Sequence, residues 1–119
     1  MKLIIAGSRT CKDMNILLQA LKTFKIELTA DDEIVSGTAN GADTLGELYA
    51  RQHNIPVMLF RPDWIVYKTR AGFIRNVLMA KYADKLLALW DGQSTGTSHM
   101  IDVMRREKKH TYVFIFKEN

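Results

Sequence analysis

Apolar residues in this chain fall in short uninterrupted runs, separated by longer amphipathic stretches. Lys2 to Ala6, Glu33 to Ser36, Val57 to Phe60, Leu86 to Trp90 and Thr111 to Phe116 read as strands. Their centres, such as LIIA, VMLF, LLAL and YVFIF, lack the apolar–polar alternation of a half-exposed sheet. That pattern fits strands buried on both faces. Between them, Met14, Leu17, Leu18, Leu21 and Phe24 recur at helical spacing, which predicts a helix capped by Asp13 and running to about Leu28. Ala42, Leu45 and Tyr49 mark one face of a second helix, closed by Ile55-Pro56, in which Thr44 and Glu47 fit a capping box. A third helix is predicted from about Ala71 to Ala83, with Phe73, Ile74, Val77 and Leu78 as its buried stripe, and a fourth from Thr97 to about Lys108. Arg61 to Arg70 is the longest loop.

Strands alternating with helices imply βαβ units. The expected architecture is α/β, with a mostly parallel sheet of about five strands and helices on both faces. The 119 residues are expected to form a single domain spanning 1–119. In such folds ligands bind beyond the carboxyl ends of the strands. The segments after the first four strands are GSR, SGTANGAD, RPDW and WDGQSTGT, and all should meet on that edge.

One of these segments suggests specific chemistry. EIVSGTANGADTLGE, residues 33–47, reads as strand, tight loop, helix. Backbone N–H groups at a helix N-terminus favour a phosphate or another anion, and glycine permits close approach. The spacing is neither GxGxxG nor GxxxxGK[ST], so a plain strand-to-helix turn explains it as well. The convergence of four such loops favours the anion cradle.

Composition narrows the setting. With 47% hydrophobic and 25% charged residues the chain has an ordinary soluble make-up, and no run approaches the roughly 18 apolar residues of a membrane span. The single Cys11 excludes an internal disulfide, and His53, His99 and His110 lie far apart, so no metal or cofactor and a reducing, cytoplasmic setting are expected. A net charge of +4 favours an anionic partner. Its densest cluster, Arg105, Arg106, Lys108 and Lys109, falls where a helix ends and complements the dipole there. Nucleic-acid contact is the alternative, but no aromatic residue is interleaved to stack bases.

The ordered set GSR, IVSGTANGAD, FRPDW and AGFIRNVLMAKYADKLLALWDGQSTGT resembles the SLOG superfamily, named after the SMF/DprA and Lonely Guy proteins, and is most similar to its small YspA-like group. The resemblance covers Gly7 to Ile115. It implies a Rossmann-like three-layer domain that binds nucleotides or nucleotide-derived molecules. Lonely Guy enzymes hydrolyse the N-glycosidic bond of a nucleoside monophosphate with an RxxxM helix segment and a PGGxGTxxE loop. Arg75 and Met79 match the first; Gly92, Gly96 and Thr97 resemble the second, at longer glycine spacing. Met100 occupies the place of the glutamate. Asp102, two residues on, is rotated by roughly 200° and cannot replace it.

Candidate site residues follow. Arg75 lies near its helix N-terminus, where a cation does not suit the dipole, and Arg9 could make bidentate phosphate contacts. Gly7, Ser8, Ser36, Gly37, Gly41, Gly92, Ser94, Gly96 and Thr97 would supply loop donors. Asp43 could bond a ribose hydroxyl or cap its helix, Asn76 could contact ligand or face solvent, and Trp64 and Trp90 could stack on a base or pack in a core. Glycosidic cleavage needs a carboxylate; Asp91 and Glu47 head the candidates, with Asp43 and Asp63 behind, and Arg75 would hold the substrate. The expected function is binding of a phosphate-bearing nucleotide or nucleotide-derived signal, as a sensor or sequestering domain. N-glycosidase activity and single-stranded nucleic-acid binding are the alternatives. A homo-oligomer is expected, with Met100, Met104, Trp64 and Tyr67 as interface or core.

Overall fold

The computed structural model describes residues 1–117. Five strands, β1 (Lys2–Gly7), β2 (Glu33–Ser36), β3 (Val57–Leu59), β4 (Lys85–Trp90) and β5 (His110–Ile115), form one parallel sheet in the order β3-β2-β1-β4-β5. The register pairs Ile4 with Val35 on one side and with Leu86 on the other. Helices α1 (Met14–Thr23) and α2 (Ala42–Gln52) cover one face. Their Leu17, Leu21 and Leu45 pack on Leu3, Ile5, Leu87 and Leu89. The opposite face, Ile4, Ala6, Leu86 and Ala88, is covered by α4 (Ala71–Tyr82) and α5 (Thr95–Arg106) through Met79, Ala80, Met100 and Met104. Adjacent residues of β1 and β4 thus point into two different cores, which explains their continuous apolar runs.

The edge strands depart from that rule. Val57, Met58 and Leu59 of β3 are each more than a third exposed, and Ile115 of β5 is 63% exposed, because an edge strand has a neighbour on only one side. Asp13 caps α1 as expected, accepting from the Asn15 N–H at 2.9 Å. The helix ends at Thr23 rather than near Leu28: Lys25 adopts φ +54° and the Ile26 N–H turns back to the Leu21 carbonyl. Ile26 and Leu28 then pack on the core from outside the helix.

Three other local expectations are corrected. Thr44 and Glu47 form no capping box. The helix starts earlier, with Gly41 as N-cap; Thr44 Oγ1 donates to the Ala39 carbonyl, and Glu47 accepts from Ser36 Oγ at 2.6 Å. The 61–70 segment is not all loop, since α3 (Trp64–Tyr67), capped by Asp63, runs into a 3-10 turn at Lys68–Arg70. The stripe Phe73, Ile74, Val77 and Leu78 faces the core only in part: Val77 packs on it, but Phe73 and Leu78 are about half exposed, while Ala71, Asn76, Met79 and Ala80 are buried. Helix α4 carries apolar residues on all sides, so periodicity alone could not select its phase. Met100 and Met104 are 1% and 0% exposed and belong to the core, not to an oligomer interface.

The basic cluster lies at the helix C-termini, opposite the carboxyl edge of the sheet. Arg105 and Arg106 complete the last turn of α5, and Lys109 Nζ donates to the carbonyls of Ala80 and Lys81 at the end of α4. Part of this charge therefore complements a helix dipole. Among the described residues, no helix is long and apolar enough to cross a membrane.

Candidate functional site

A cleft of about 830 Å³ opens at the carboxyl edge, lined by the loops after β1, β2 and β4 and by α3, α4 and the start of α5. Strand order reverses between β1 and β4, which is where doubly wound sheets leave a crevice. Ser8 closes its floor. Its Oγ accepts the Asp91 N–H at 2.9 Å, its N–H donates to the Leu89 carbonyl, and its carbonyl accepts the N–H groups of Cys11 and Ala42. Gly7 and Gly41 allow this closure. A Cβ on Gly7 would lie 2.0 Å from the Leu89 carbonyl oxygen, and one on Gly41, at φ +82°, 2.4 Å from the carbonyl oxygens of Ser8 and Arg9.

The glycine loop after β2 spends much of its donor capacity on its own chain. The Ala39 N–H donates to Asp43 Oδ2 at 3.2 Å, and the Thr38 N–H donates to Ser36 Oγ. A carboxylate in the first turn of α2 thus reaches back and fills the loop from within. Asp43 is only 4% exposed, and burial pushes its pKa up to about 6 against the loop bonds and the nearby Arg75.

Arg75 bridges the loops. Its Nη1 donates to the Gly37 carbonyl and its Nε donates to Asn76 Oδ1 at 2.9 Å. Burial holds the guanidinium pKa below its ordinary value; Asp43 opposes this and Arg9 adds to it. The buried Asn76 in turn donates through Nδ2 to the Gly96 carbonyl at 3.3 Å and lies 3.2 Å from His99 Nδ1. Burial lowers the His99 pKa, so its ring is neutral at pH 7, with Nδ1 as acceptor. Gly72, Arg75, Asn76 and Met79 follow helical spacing along the wall of the cleft.

The loop after β4 is built differently. Asp91 Oδ1 accepts the N–H groups of Gln93 and Ser94, both at 2.8 Å, and these bonds hold its carboxyl below the usual range. Ser94 caps α5, accepting from the Thr97 N–H and hydroxyl. A Cβ built on Gly96 meets nothing within 4 Å, so the first turn of α5 borders open space.

Most sequence candidates meet here. Gly7, Ser8, Arg9, Gly37, Asp43, Trp64, Arg75, Asn76, Asp91, Ser94, Gly96 and Thr97 all line the cleft. Ser36, Gly41, Glu47, Trp90 and Gly92 do not: Ser36 and Glu47 bond each other, Gly41 and Gly92 shape turns with φ above +80°, and Trp90 donates to the Ser94 carbonyl and packs on the core. Met100, at the place of the missing glutamate, lines the cleft as an apolar residue. Arg61, Asn40 and Phe73 line it too and went unassigned from sequence. Asn40 lies inside the glycine motif and was legible there; Phe73 was hidden by its apparent place in a core stripe. Among the described residues, no cluster of His, Cys, Asp or Glu could hold a metal ion.

Known proteins resemble this chain in both sequence and structure. Residues 1–67 match the model of the YspA, cpYpsA-related SLOG family. The Gene 61 protein of Mycobacterium phage D29 is 35% identical over 104 residues, an alignment covering 82% of this chain and 83% of that protein. In structure, the chain is similar to DNA processing protein A (DprA) of Helicobacter pylori, described for its single-stranded DNA binding mode, at a TM-score of 0.71 and 18% identity over 100% of this chain and 67% of the other. DprA of Streptococcus pneumoniae gives a TM-score of 0.69 and 17% identity over 94% of this chain, which spans about half (49%) of that one. At such identities the likeness to DprA is one of fold.

Proposed function

The chain belongs to the YspA, cpYpsA-related SLOG family, and from that premise we propose that its single domain binds a phosphate-bearing nucleotide or nucleotide-derived signal in the carboxyl-edge cleft, as a sensor or sequestering domain. The observation that carries this reading is Arg75, a half-buried guanidinium held between the β2 loop and Asn76 on the wall of a cleft that Arg9 and Arg61 also line. The phosphate lies against the open first turn of α5, where helix dipole and N–H groups favour an anion, with Arg9 and Arg75 beside it. The glycine loop shapes the cleft more than it cradles the ligand, because Asp43 and Ser36 already take its Ala39 and Thr38 N–H groups.

The test is a thermal-shift screen against nucleoside mono-, di- and triphosphates, ADP-ribose derivatives and cyclic dinucleotides. A ligand at 100 times its dissociation constant adds about 2.7 kcal/mol of apparent stability. Arg75→Ala should weaken the hit about tenfold or more, the worth of one charge-assisted bond. No shift with any member of the panel would overturn the reading.

A second reading is N-glycosidase activity, and one observation favours it. Asp43 is a buried carboxyl with a raised pKa, near Arg75 on the cleft wall, whereas Asp91 ties a turn and Glu47 lies outside the cleft. Chromatography of each hit for released base tests it; intact ligand leaves binding alone. Single-stranded nucleic acid as the ligand, supported by the net charge of +4 and the DprA-like fold, predicts affinity that rises with oligonucleotide length and falls steeply with salt. The apolar surface of Ile65, Val66 and Tyr67 on α3 supports a homo-oligomer, which sedimentation would reveal.

A further inference from the structure

Phe73 is out of place for a residue in a core helix. It is 47% exposed, and it lines the cleft instead of packing beneath the sheet. Its ring centroid lies 4.4 Å from that of His99, with the planes 35° apart, so one face rests largely on the imidazole. The imidazole is itself held in place: Asn76 Nδ2 lies 3.2 Å from His99 Nδ1, and Asn76 also bonds the Gly96 carbonyl and accepts from Arg75. Trp64, 52% exposed, lines the same cleft from α3, and its Cη2 lies 3.9 Å from the position a Cβ would take on Gly72, the neighbour of Phe73. Trp90, the other tryptophan, is absent from the cleft lining and spends its indole N–H on Ser94.

The cleft therefore carries two chemistries side by side, the guanidinium groups of Arg9, Arg61 and Arg75 and the two half-exposed rings of Phe73 and Trp64. Both sit on shared elements: the position a Cβ would take on Gly72 lies 3.7 Å from Arg75 Nη2 and 3.9 Å from Trp64 Cη2, and Phe73 rests on His99 of α5. Exposing a tryptophan and a phenylalanine to water within one cleft forfeits burial that either ring would gain in a core, and a flat ligand ring stacked on them recovers it. Aromatic side chains hold a base by its π-face, whatever its edge.

Resting on the nucleotide reading above, we infer that Phe73, backed by His99 and flanked by Trp64, is the platform on which the ligand's base stacks, so that the site takes a nucleoside phosphate by base and phosphate together and not a bare sugar phosphate. Phe73 and His99 are specificity determinants of this site. The tie from Asn76 links His99, behind the platform, to Arg75, so base and phosphate contacts share one wall.

The experiment is calorimetric titration of the full chain with AMP, CMP and ribose 5-phosphate, comparing wild type with Phe73→Leu, Phe73→Tyr and Trp64→Leu. Leucine keeps an apolar side chain of similar reach on an exposed helix face and removes the π-face; tyrosine restores it. The expected result is tighter binding of both nucleotides than of ribose 5-phosphate in wild type. Phe73→Leu should weaken the nucleotides about tenfold, leave ribose 5-phosphate unchanged, and be rescued by Phe73→Tyr; Trp64→Leu should show the same selective loss. Equal affinity of wild type for AMP and ribose 5-phosphate, or an equal loss for all three ligands in Phe73→Leu, would overturn the platform while leaving the phosphate site standing. Nucleotide binding unchanged in both leucine variants would overturn it too. A wild type that binds none of the three would overturn the platform as stated, while the nucleotide reading falls only if the whole thermal-shift panel also fails.

Discussion

The backbone N–H of Asp91 donates to the side-chain oxygen of Ser8 at 2.9 Å, across 83 residues of sequence. Ser8 is 1% exposed and also bonds Leu89, Cys11 and Ala42 through its backbone. One small hydroxyl therefore fixes the loop after β1 against the loop after β4, at the point where the sheet reverses its order.

Ser8→Ala should accordingly leave the Asp91 N–H without a protein acceptor. The expected loss is about 1–3 kcal/mol, read by urea denaturation at unchanged slope. A variant as stable as wild type would show that water replaces the hydroxyl.

Two glycines of the same edge should behave oppositely. Gly7→Ala drives a Cβ to within 2.0 Å of the Leu89 carbonyl oxygen, in the backbone that pairs β1 with β4. Neither strand can yield without breaking register, so a loss of about 3 kcal/mol or more is expected. Gly96→Ala meets nothing within 4 Å and lies in the first turn of α5. It should be neutral, or gain up to about 1 kcal/mol from helix propensity. Denaturation of the pair under one set of conditions checks both, and a tolerated Gly7→Ala would refute the close approach.

Asp43 gives a pH signature of unusual sign for a carboxylate. Its folded pKa is raised, from 3.8 to about 6. The fold therefore binds the proton more tightly than the unfolded chain does. The stability this confers is complete below about pH 4 and is lost as pH rises through 6, a change of about 3 kcal/mol by linkage. His99 and Asp91 act in the other direction, since both pKa values are lowered and protonation of either opposes folding. Subtracting wild type from Asp43→Asn isolates the one group: the variant should gain on wild type by about 2 kcal/mol between pH 4 and 7. A flat difference across that range would mean that Asp43 is not buried as described.

Much of the architecture was legible because local chemistry carries it. The uninterrupted runs LIIA and LLAL require two cores, and β1 and β4 have them. Asp13 caps its helix because a short side-chain oxygen there has an N–H within reach two residues on. The clustering of Gly7, Arg9, Gly37, Arg75 and Gly96 at one edge follows from the handedness and parallel order of βαβ units.

Tertiary contacts decided what periodicity left open. Helix α4 is apolar on every side, and its phase is set by Asn76 reaching Gly96 and Arg75 reaching Gly37, which turns Phe73 out into the cleft. Glu47 and Asp43 are both acids of α2, yet one bonds Ser36 outside the cleft and the other fills the glycine loop on its wall. By itself the sequence determined the strands, the sheet class and the edge where polar loops gather, since these rest on interactions between near neighbours in the chain. Only the tertiary structure decided which donors are spent internally, which carboxylate is buried and which aromatic faces the cleft, because each depends on a partner 4 to 83 residues away whose direction no local pattern encodes.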